Sequence, residues 1–283
     1  GRVGGGSQRW IDLGIFHLQP SELAKLAIIL VLAKYFSEDK LPAPYNLRRL
    51  IIPGMLVMPY FVLIVKQPDM GTAGIVFLTA ASIVLFARVH WKSILAVIVC
   101  ALIAMPIAYR FALHEYQQER VRTFLDPDRD PRATGYNALQ CKIAVGSGQV
   151  LGKGYLKGTQ AQLNFIPEQQ TDFIFSVLAE ERGLLGAIVL LGLYACYMGF
   201  ALKSVQRARD KFEMFTALGC ALLAFGMTSM MFWHVFINIG MVIGVVPIVG
   251  VTLPFFSYGG SSLLTFIFAT AMLLNIGRKR YIF

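Results

Sequence analysis

Between Met214 and Gly277 the chain contains no Asp, Glu, Lys or Arg. A helix needs roughly 17–25 apolar residues to cross the hydrocarbon core of a bilayer, so this run has room for two or three crossings. The charges at its two ends decide the number. Lys203, Arg207, Arg209 and Lys211 precede it, and Arg278, Lys279 and Arg280 follow it. Basic residues collect in cytoplasmic loops, which places both ends on the same side and makes the number of crossings even. Two crossings are expected. The interval Gly244–Gly260, broken by Pro247, Gly250 and Pro254, is then an outward-facing or re-entrant segment. Irregular backbone at that depth must be buried in protein or line a cavity.

The rest of the 283-residue chain follows the same pattern. Hydrophobic residues make up 56% and charged residues 15%, against about 45–50% and about 25% in soluble domains. That excludes a disordered chain and argues against a water-soluble globule. Five further spans are expected: Ser21–Phe36, Leu50–Val65, Met70–Ala87, Ser93–Tyr109 and Gly183–Leu202. Propagated backwards, the parity argument leaves Ser37–Arg49 and Arg88–Lys92 in the cytoplasm, and Gly1–Pro20 and Arg110–Asp172 outside. The expected fold class is an all-α polytopic transmembrane helix bundle of seven spans. It forms one transmembrane domain over residues 1–283, with a large extracytoplasmic loop at 110–172.

The net charge of +10 is accounted for by this topology. No basic run is interleaved with aromatics in the manner of a nucleic-acid surface, so no nucleic-acid partner is expected. Cys100, Cys141, Cys196 and Cys220 stand far apart without a CxxC pair, which points to neither a disulfide framework nor a zinc site. The chain begins Gly1-Arg-Val-Gly-Gly-Gly rather than with Met or a signal peptide. An earlier portion is therefore expected to precede it.

Chemistry is expected in the long outer loop, where a helix carrying Tyr116, Val121 and Phe124 would lie along the interface. Asp126–Pro131, DPDRDP, reads as a turn whose aspartates are also available to a cation. Gly146–Gly154 misses both nucleotide-binding patterns. Ser147 stands where a Walker loop needs glycine, Gly154 stands where it needs Ser or Thr, and Gly148 and Gly152 are one residue too far apart for a dinucleotide loop. What remains is a flexible, backbone-exposing loop presenting Lys153 and Lys157, suited to approaching a diphosphate. The loop closes on Gln162 and then Pro167-Glu168-Gln-Gln-Thr171-Asp172, two carboxylates at the mouth of an apolar helix. Thr171 or Asp172 can cap that helix. A partly desolvated Asp172 is also a better proton acceptor, and the two roles are compatible.

Ionisable residues inside or beside spans are functional candidates. Glu22 and Lys25, three apart, share a helix face and can pair. Asp69 can cap the helix that starts at Met70 or face the outer cavity. His234 and Asn238, four apart, are expected to hydrogen-bond a neighbouring helix rather than to ligate metal.

Several strings together resemble the SEDS family of polytopic membrane proteins. They are Arg9-Trp10-Ile-Asp12-Leu-Gly14, Gln19-Pro-Ser-Glu22-Leu-Ala-Lys25, Gln67-Pro-Asp69-Met-Gly-Thr72, Arg120-Val121, Asp126-Pro127 and Gly146-Ser-Gly148. Pro167-Glu168, Thr171-Asp172-Phe-Ile-Phe175, Glu180-Glu181, Leu253-Pro-Phe255 and Ser257-Tyr-Gly-Gly-Ser-Ser262 complete the set. They run in order along nearly the whole chain. Gly240–Gly260 looks more like the RodA-like elongation branch than the division branch.

The resemblance implies ten helices in the full protein, of which these would be the last seven. It also implies a peptidoglycan glycosyltransferase that polymerises lipid II on the outer face of the cytoplasmic membrane. The partners implied are a class B penicillin-binding protein and other elongation-machinery membrane proteins, with a loosely bound divalent cation, Mg²⁺ or Mn²⁺, as cofactor. The family's essential aspartate matches Asp172. Arg9, Trp10, Glu22, Lys25, Arg120, Lys153, Lys157 and Gln162 are the expected substrate contacts, and Glu168 and Asp69 the expected cation ligands. A lipid II flippase is the rival reading, because Glu22, Lys25 and Asp69 could line a path. The polar chemistry clusters on one face, however, which disfavours it. A non-catalytic scaffold for the transpeptidase would not need the carboxylates of the outer loop.

Overall fold

The computed structural model describes residues 2–4, 7–12, 17–38, 44–111, 115–126, 134–163, 165–211 and 214–278. Within these the chain is almost wholly helical: α1 (Pro20–Glu38), α2 (Ile51–Lys66), α3 (Met70–Phe86), α4 (Trp91–Phe111), α5 (Glu115–Leu125), α6 (Thr134–Ser147), α7 (Thr159–Gln162), α8 (Ile174–Lys211), α9 (Met214–Ile243) and α10 (Gly260–Arg278). Each expected crossing coincides with a helix, and Gly244–Gly259 separates α9 from α10 without regular structure. Among the described residues four helices are long and apolar enough to span a bilayer: Leu47–Lys66, which includes a leading 3-10 turn, Ile174–Ala208, Ala217–Ile243 and Gly260–Arg278. Met70–Phe86 and Trp91–Cys100 are shorter apolar helices. The chain is a multi-pass membrane protein.

The described residues divide into two compact units. The first comprises residues 1–94, 196–234 and 259–283, and the second 95–195 and 235–258. In the first, α1 packs against α2, α3 and α10. Its interior holds Ile29, Leu32 and Phe36 of α1, Ile75 and Ile83 of α3 and Phe266 of α10. Hydrocarbon is as apolar as leucine, so helix pairing in a membrane relies on close packing and on polar side chains that find one another. Trp233 Nε1 donates to Ser82 Oγ at 3.0 Å, the Tyr197 and Thr270 hydroxyls meet at 2.7 Å, and the Phe86 and Phe225 rings stack at 4.3 Å.

One departure from an all-α reading lies at the start of the chain. Residues Arg2–Gly4, Ser7–Asp12 and His17–Leu18 form a small antiparallel sheet, β1-β2-β3. Its last strand is tied to α10, where Ser261 Oγ donates to the His17 carbonyl at 2.7 Å and accepts from Gln19 N at 3.1 Å. The strands are too short to display a period of two, which is why the sequence pattern hides them.

In the second unit α5 and α6 pack together, and α6 meets α7. Helix α8 is bent at Gly183, whose φ of 64° lies in the left-handed region. The N–H groups of the helix that restarts after the bend lack intrahelical partners. The segment between α6 and α7 supplies them: Leu184 N donates to the Gln149 carbonyl at 2.9 Å and Leu185 N to the Val150 carbonyl at 3.1 Å.

Candidate active site

Asp172 stands two residues before α8 begins, half-buried. The turn ahead of it is tight, because the N–H groups of Thr171, Asp172 and Phe173 all reach the Glu168 carbonyl at 3.1–3.3 Å. Glu168 takes a left-handed φ of 51° to allow this, a conformation that costs about 1–3 kcal/mol and persists only where its surroundings enforce it. The Thr171 hydroxyl turns back to Glu168, donating to its carbonyl and facing its Oε2, both at 3.2 Å.

The enforcing surroundings are the irregular segment after α9. Three successive carbonyls of the Asp172 turn are each taken by a donor, two from that segment and one from α9. Tyr258 N donates to Gln170 O at 2.8 Å, Ser257 Oγ donates to Thr171 O, and Asn238 Nδ2 donates to Asp172 O at 2.8 Å. Asn238 also donates to Val251 O at 2.6 Å, so its amide pins the turn and the irregular segment together. Ser257 Oγ in turn accepts from Leu253 N at 2.7 Å. Gly250, with φ 68°, faces the carboxylate: a Cβ there would stand 3.1 Å from Asp172 Oδ2. Pro247, Gly250 and Pro254 thus belong to a clasp around the aspartate, and the interruption between α9 and α10 has a positional purpose. Asn238 reaches loop backbone rather than a neighbouring helix.

The same unit holds other predicted residues. Arg120, on α5, donates from Nη1 to Ile248 O at 3.3 Å. It lines a small cavity with Lys142, Phe124, Met241, Val246 and Ile248. Lys142, which the sequence reading passed over, therefore stands in one cavity with Arg120, and its only sequence signal was a lone cation in an otherwise uncharged helix. Lys157 and Gln162 are exposed, and the Gln162 amide donates to the Leu156 carbonyl. Lys153 is committed elsewhere. Its ammonium donates to Glu180 Oε1 at 2.7 Å and to Thr159 Oγ1 at 2.9 Å. Glu180 is fully buried and also accepts from the N–H groups of Gln160 and Ala161. Glu181 accepts from Leu156 N. The Gly146–Gly154 region, expected to be flexible, is strapped to the first turns of α8.

In the first unit, Glu22 and Lys25 pair at 2.8 Å with side chains 7% and 1% exposed. The Lys25 ammonium also donates to His234 Nε2 at 2.8 Å, which makes His234 an acceptor at that nitrogen. Asp69 caps α3. Its Oδ1 accepts from Thr72 N at 3.1 Å, and its Oδ2 from Thr72 Oγ1 at 2.9 Å and Gln19 Nε2 at 3.1 Å. Trp10 is half-exposed on β2. The side chain of Arg9 and residues 127–133 of the DPDRDP turn lie outside the described residues. Among the described residues no cluster of three metal-ligating side chains occurs.

Cys141 on α6 is fully buried. Burial pushes its thiol up to about 12, with a Ser176 hydrogen bond pulling the other way. Since the thiolate is the reactive form, Cys141 should resist maleimide at neutral pH and label only after denaturation. Mass spectrometry of the labelled peptides checks this.

Comparison with known proteins places the chain. Residues 1–282 match the family model for FtsW, RodA and SpoVE, described as cell cycle protein. The peptidoglycan glycosyltransferase MrdB of Escherichia coli K12 is 41% identical over 280 residues, covering 99% of this chain and 73% of the relative. Stage V sporulation protein E of Bacillus subtilis is 37% identical over 284 residues, covering 99% and 74%. Among solved structures, a chain of a peptidoglycan synthase complex that coordinates polymerization and crosslinking superposes with a TM-score of 0.80 at 32% identity, covering 99% of this chain and 76% of that one. The rod shape determining protein RodA of Thermus thermophilus gives 0.67 at 28% identity, covering 100% and 73%. The chain belongs to the FtsW/RodA/SpoVE family, the SEDS proteins.

Proposed function

We propose that this protein is a peptidoglycan glycosyltransferase that polymerises lipid II during cell elongation, with Asp172 as the general base. The observation that carries the reading is the clasp. Three donors hold the Asp172 turn, and Gly250, which faces the carboxylate, has no side chain. Asp172 would take the proton from the acceptor sugar hydroxyl as that oxygen attacks the anomeric carbon of the donor. The anomeric C–O bond to the lipid diphosphate breaks, giving a single inverting displacement. Glycoside hydrolases need a second carboxylate acid because a sugar alkoxide is a poor leaving group. A diphosphate leaves as a stabilised anion, so one base and a cationic clamp suffice.

Arg120 and Lys157 are best suited to that clamp. Lys153 would act through Glu180, because its ammonium is already neutralised there. Gln162 is exposed enough to contact sugar. The substrate role of Arg9, Trp10, Glu22 and Lys25 rests on the family motifs that contain them. For the cation, Glu168 offers an exposed carboxylate of the kind that binds Mg²⁺ together with substrate phosphates. Asp69 fits less well, since it is 3% exposed and both its oxygens accept protein hydrogen bonds. A bound Mg²⁺ or Mn²⁺ would neutralise the diphosphate as it departs. Positive-inside topology supports a site on the extracytoplasmic face of the cytoplasmic membrane, and a class B penicillin-binding protein is the partner that would crosslink the product.

The test is purified protein with lipid II and Mg²⁺ or Mn²⁺, assayed for glycan strands with and without the transpeptidase. Polymer supports the reading, whereas lipid movement without polymer would support a flippase. Asn238→Ala refines it by taking their shared donor from the Asp172 and Val251 carbonyls and freeing the Asp172 turn. Displacement of a reacting group by about 1 Å can cost on the order of 10²-fold. kcat should therefore fall by about that factor with KM little changed. A KM effect alone would place Asn238 in substrate binding instead.

A further inference from the structure

The outer segment between α6 and α7 ends in an apolar tip. Val150, Leu151, Tyr155 and Leu156 are all exposed, Leu151 to 76%. Where the tip rests says what covers it. The carbonyls of Gln149 and Val150 receive the N–H groups of Leu184 and Leu185, the first residues after the Gly183 bend. Lys153 N and Gly154 N donate to the carbonyls of Glu180 and Glu181, both at 3.0 Å. The approach is close enough that a side chain on Gly152 would overlap the Glu181 carbonyl. From Leu184 onward α8 is free of charge as far as Leu202. Its exposed Leu184, Leu185, Ile188 and Val189 form the surface a spanning helix turns to lipid. The tip is therefore seated at the depth where that surface begins, and its side chains prolong it.

The polar residues around the tip fit the same boundary. The Arg182 guanidinium lies over the Tyr155 ring, 5.8 Å from its centroid, and exposed Lys157 follows on the loop. Aromatic rings with cationic neighbours are the side chains that settle at headgroup level. We propose that Val150, Leu151 and Leu156 form a wedge inserted into the acyl region of the leaflet on the loop side, with Tyr155 at headgroup level, fixing the depth of the outer loop beside α8. The wedge rests only on α8 spanning the membrane. That its leaflet is the outer one rests on the function proposed above.

The experiment uses the whole chain with its exposed Cys100 and Cys196 replaced by Ala. Leu151→Cys is labelled with an environment-sensitive fluorophore and reconstituted in phosphatidylethanolamine–phosphatidylglycerol vesicles. Nitroxide on the lipid acyl chain should quench the label several-fold more than aqueous iodide, with blue-shifted emission. A label at exposed Asp126→Cys should show the reverse order. Red-shifted, iodide-quenched emission at position 151 would overturn the proposal. Protection that arises only when a partner protein is added would also overturn it, by assigning the tip to a protein interface. Label depth does not depend on turnover, so a failed wedge leaves the role of Asp172 standing, and an active Asp172→Asn leaves the wedge standing.

Discussion

Asp172→Asn should reduce glycan polymerisation from lipid II by at least about 10²–10⁴-fold, the range that a positioned general base contributes. The substitution separates the two roles the sequence left open. Asn caps a helix about as well as Asp, and the Asn238 bond is made to the backbone carbonyl of residue 172, which survives the change. A capping role would thus leave both fold and rate nearly intact, whereas a base cannot be replaced by an amide with no basic oxygen. Asp172→Glu is the companion. It restores the carboxylate but advances it by one methylene into the space that Gly250 keeps open, so only partial activity should return. Gel-resolved glycan strands from purified variants, with monodispersity as the folding control, give the answer. Wild-type rates from Asp172→Asn would remove Asp172 from the chemistry and leave it a structural turn residue.

What was legible beforehand follows from where the information sits. The spans were readable because each is bounded by charges that cannot enter hydrocarbon. Arg49 and Lys66 bracket α2, Asp69 and Arg88 bracket α3, and the uncharged run after Glu213 divides at Pro247 and Pro254. Parity of the flanking charges needed no contact information. The surroundings of Asp172 were hidden for the opposite reason. Asn238 reaches the carbonyl of residue 172, Ser257 that of residue 171 and Tyr258 that of residue 170. Backbone acceptors carry no residue-type signature, so their partners leave no trace in composition or spacing.

Lys153 shows a different failure. A cation in a glycine-rich loop reads as a phosphate clamp until its partner is known, and Glu180 stands 27 positions away. A hint existed: a carboxylate at the edge of a span is costly to desolvate and must recruit a cation. The bend at Gly183 was equally unreadable, because glycine is common inside transmembrane helices and only the backbone bonds from residues 149 and 150 distinguish this one.

Lys25→Met should produce the largest loss of stability in the chain. The Lys25 side chain is 1% exposed, pairs with Glu22 within α1 and reaches α9 through His234. Its removal leaves a carboxylate with one oxygen, Glu22 Oε2, already buried without a hydrogen-bond partner among the described residues. Removing one member of a buried pair costs about 3–5 kcal/mol, because the other charge is left uncompensated. At about 2–4 °C per kcal/mol for a chain of this size, the apparent melting temperature in detergent should fall by about 6–20 °C. The double variant Glu22→Gln/Lys25→Met removes the stranded charge as well and should recover most of that loss, a coupling that a thermodynamic cycle reads directly. Activity then discriminates between the two roles of the pair. If both residues serve only to hold α1 and α9 together, polymerisation should recover in parallel with stability. If they also contact substrate, as the family motif around them implies, the double variant should be stable and inactive. A single substitution would merge those two effects, and the cycle separates them.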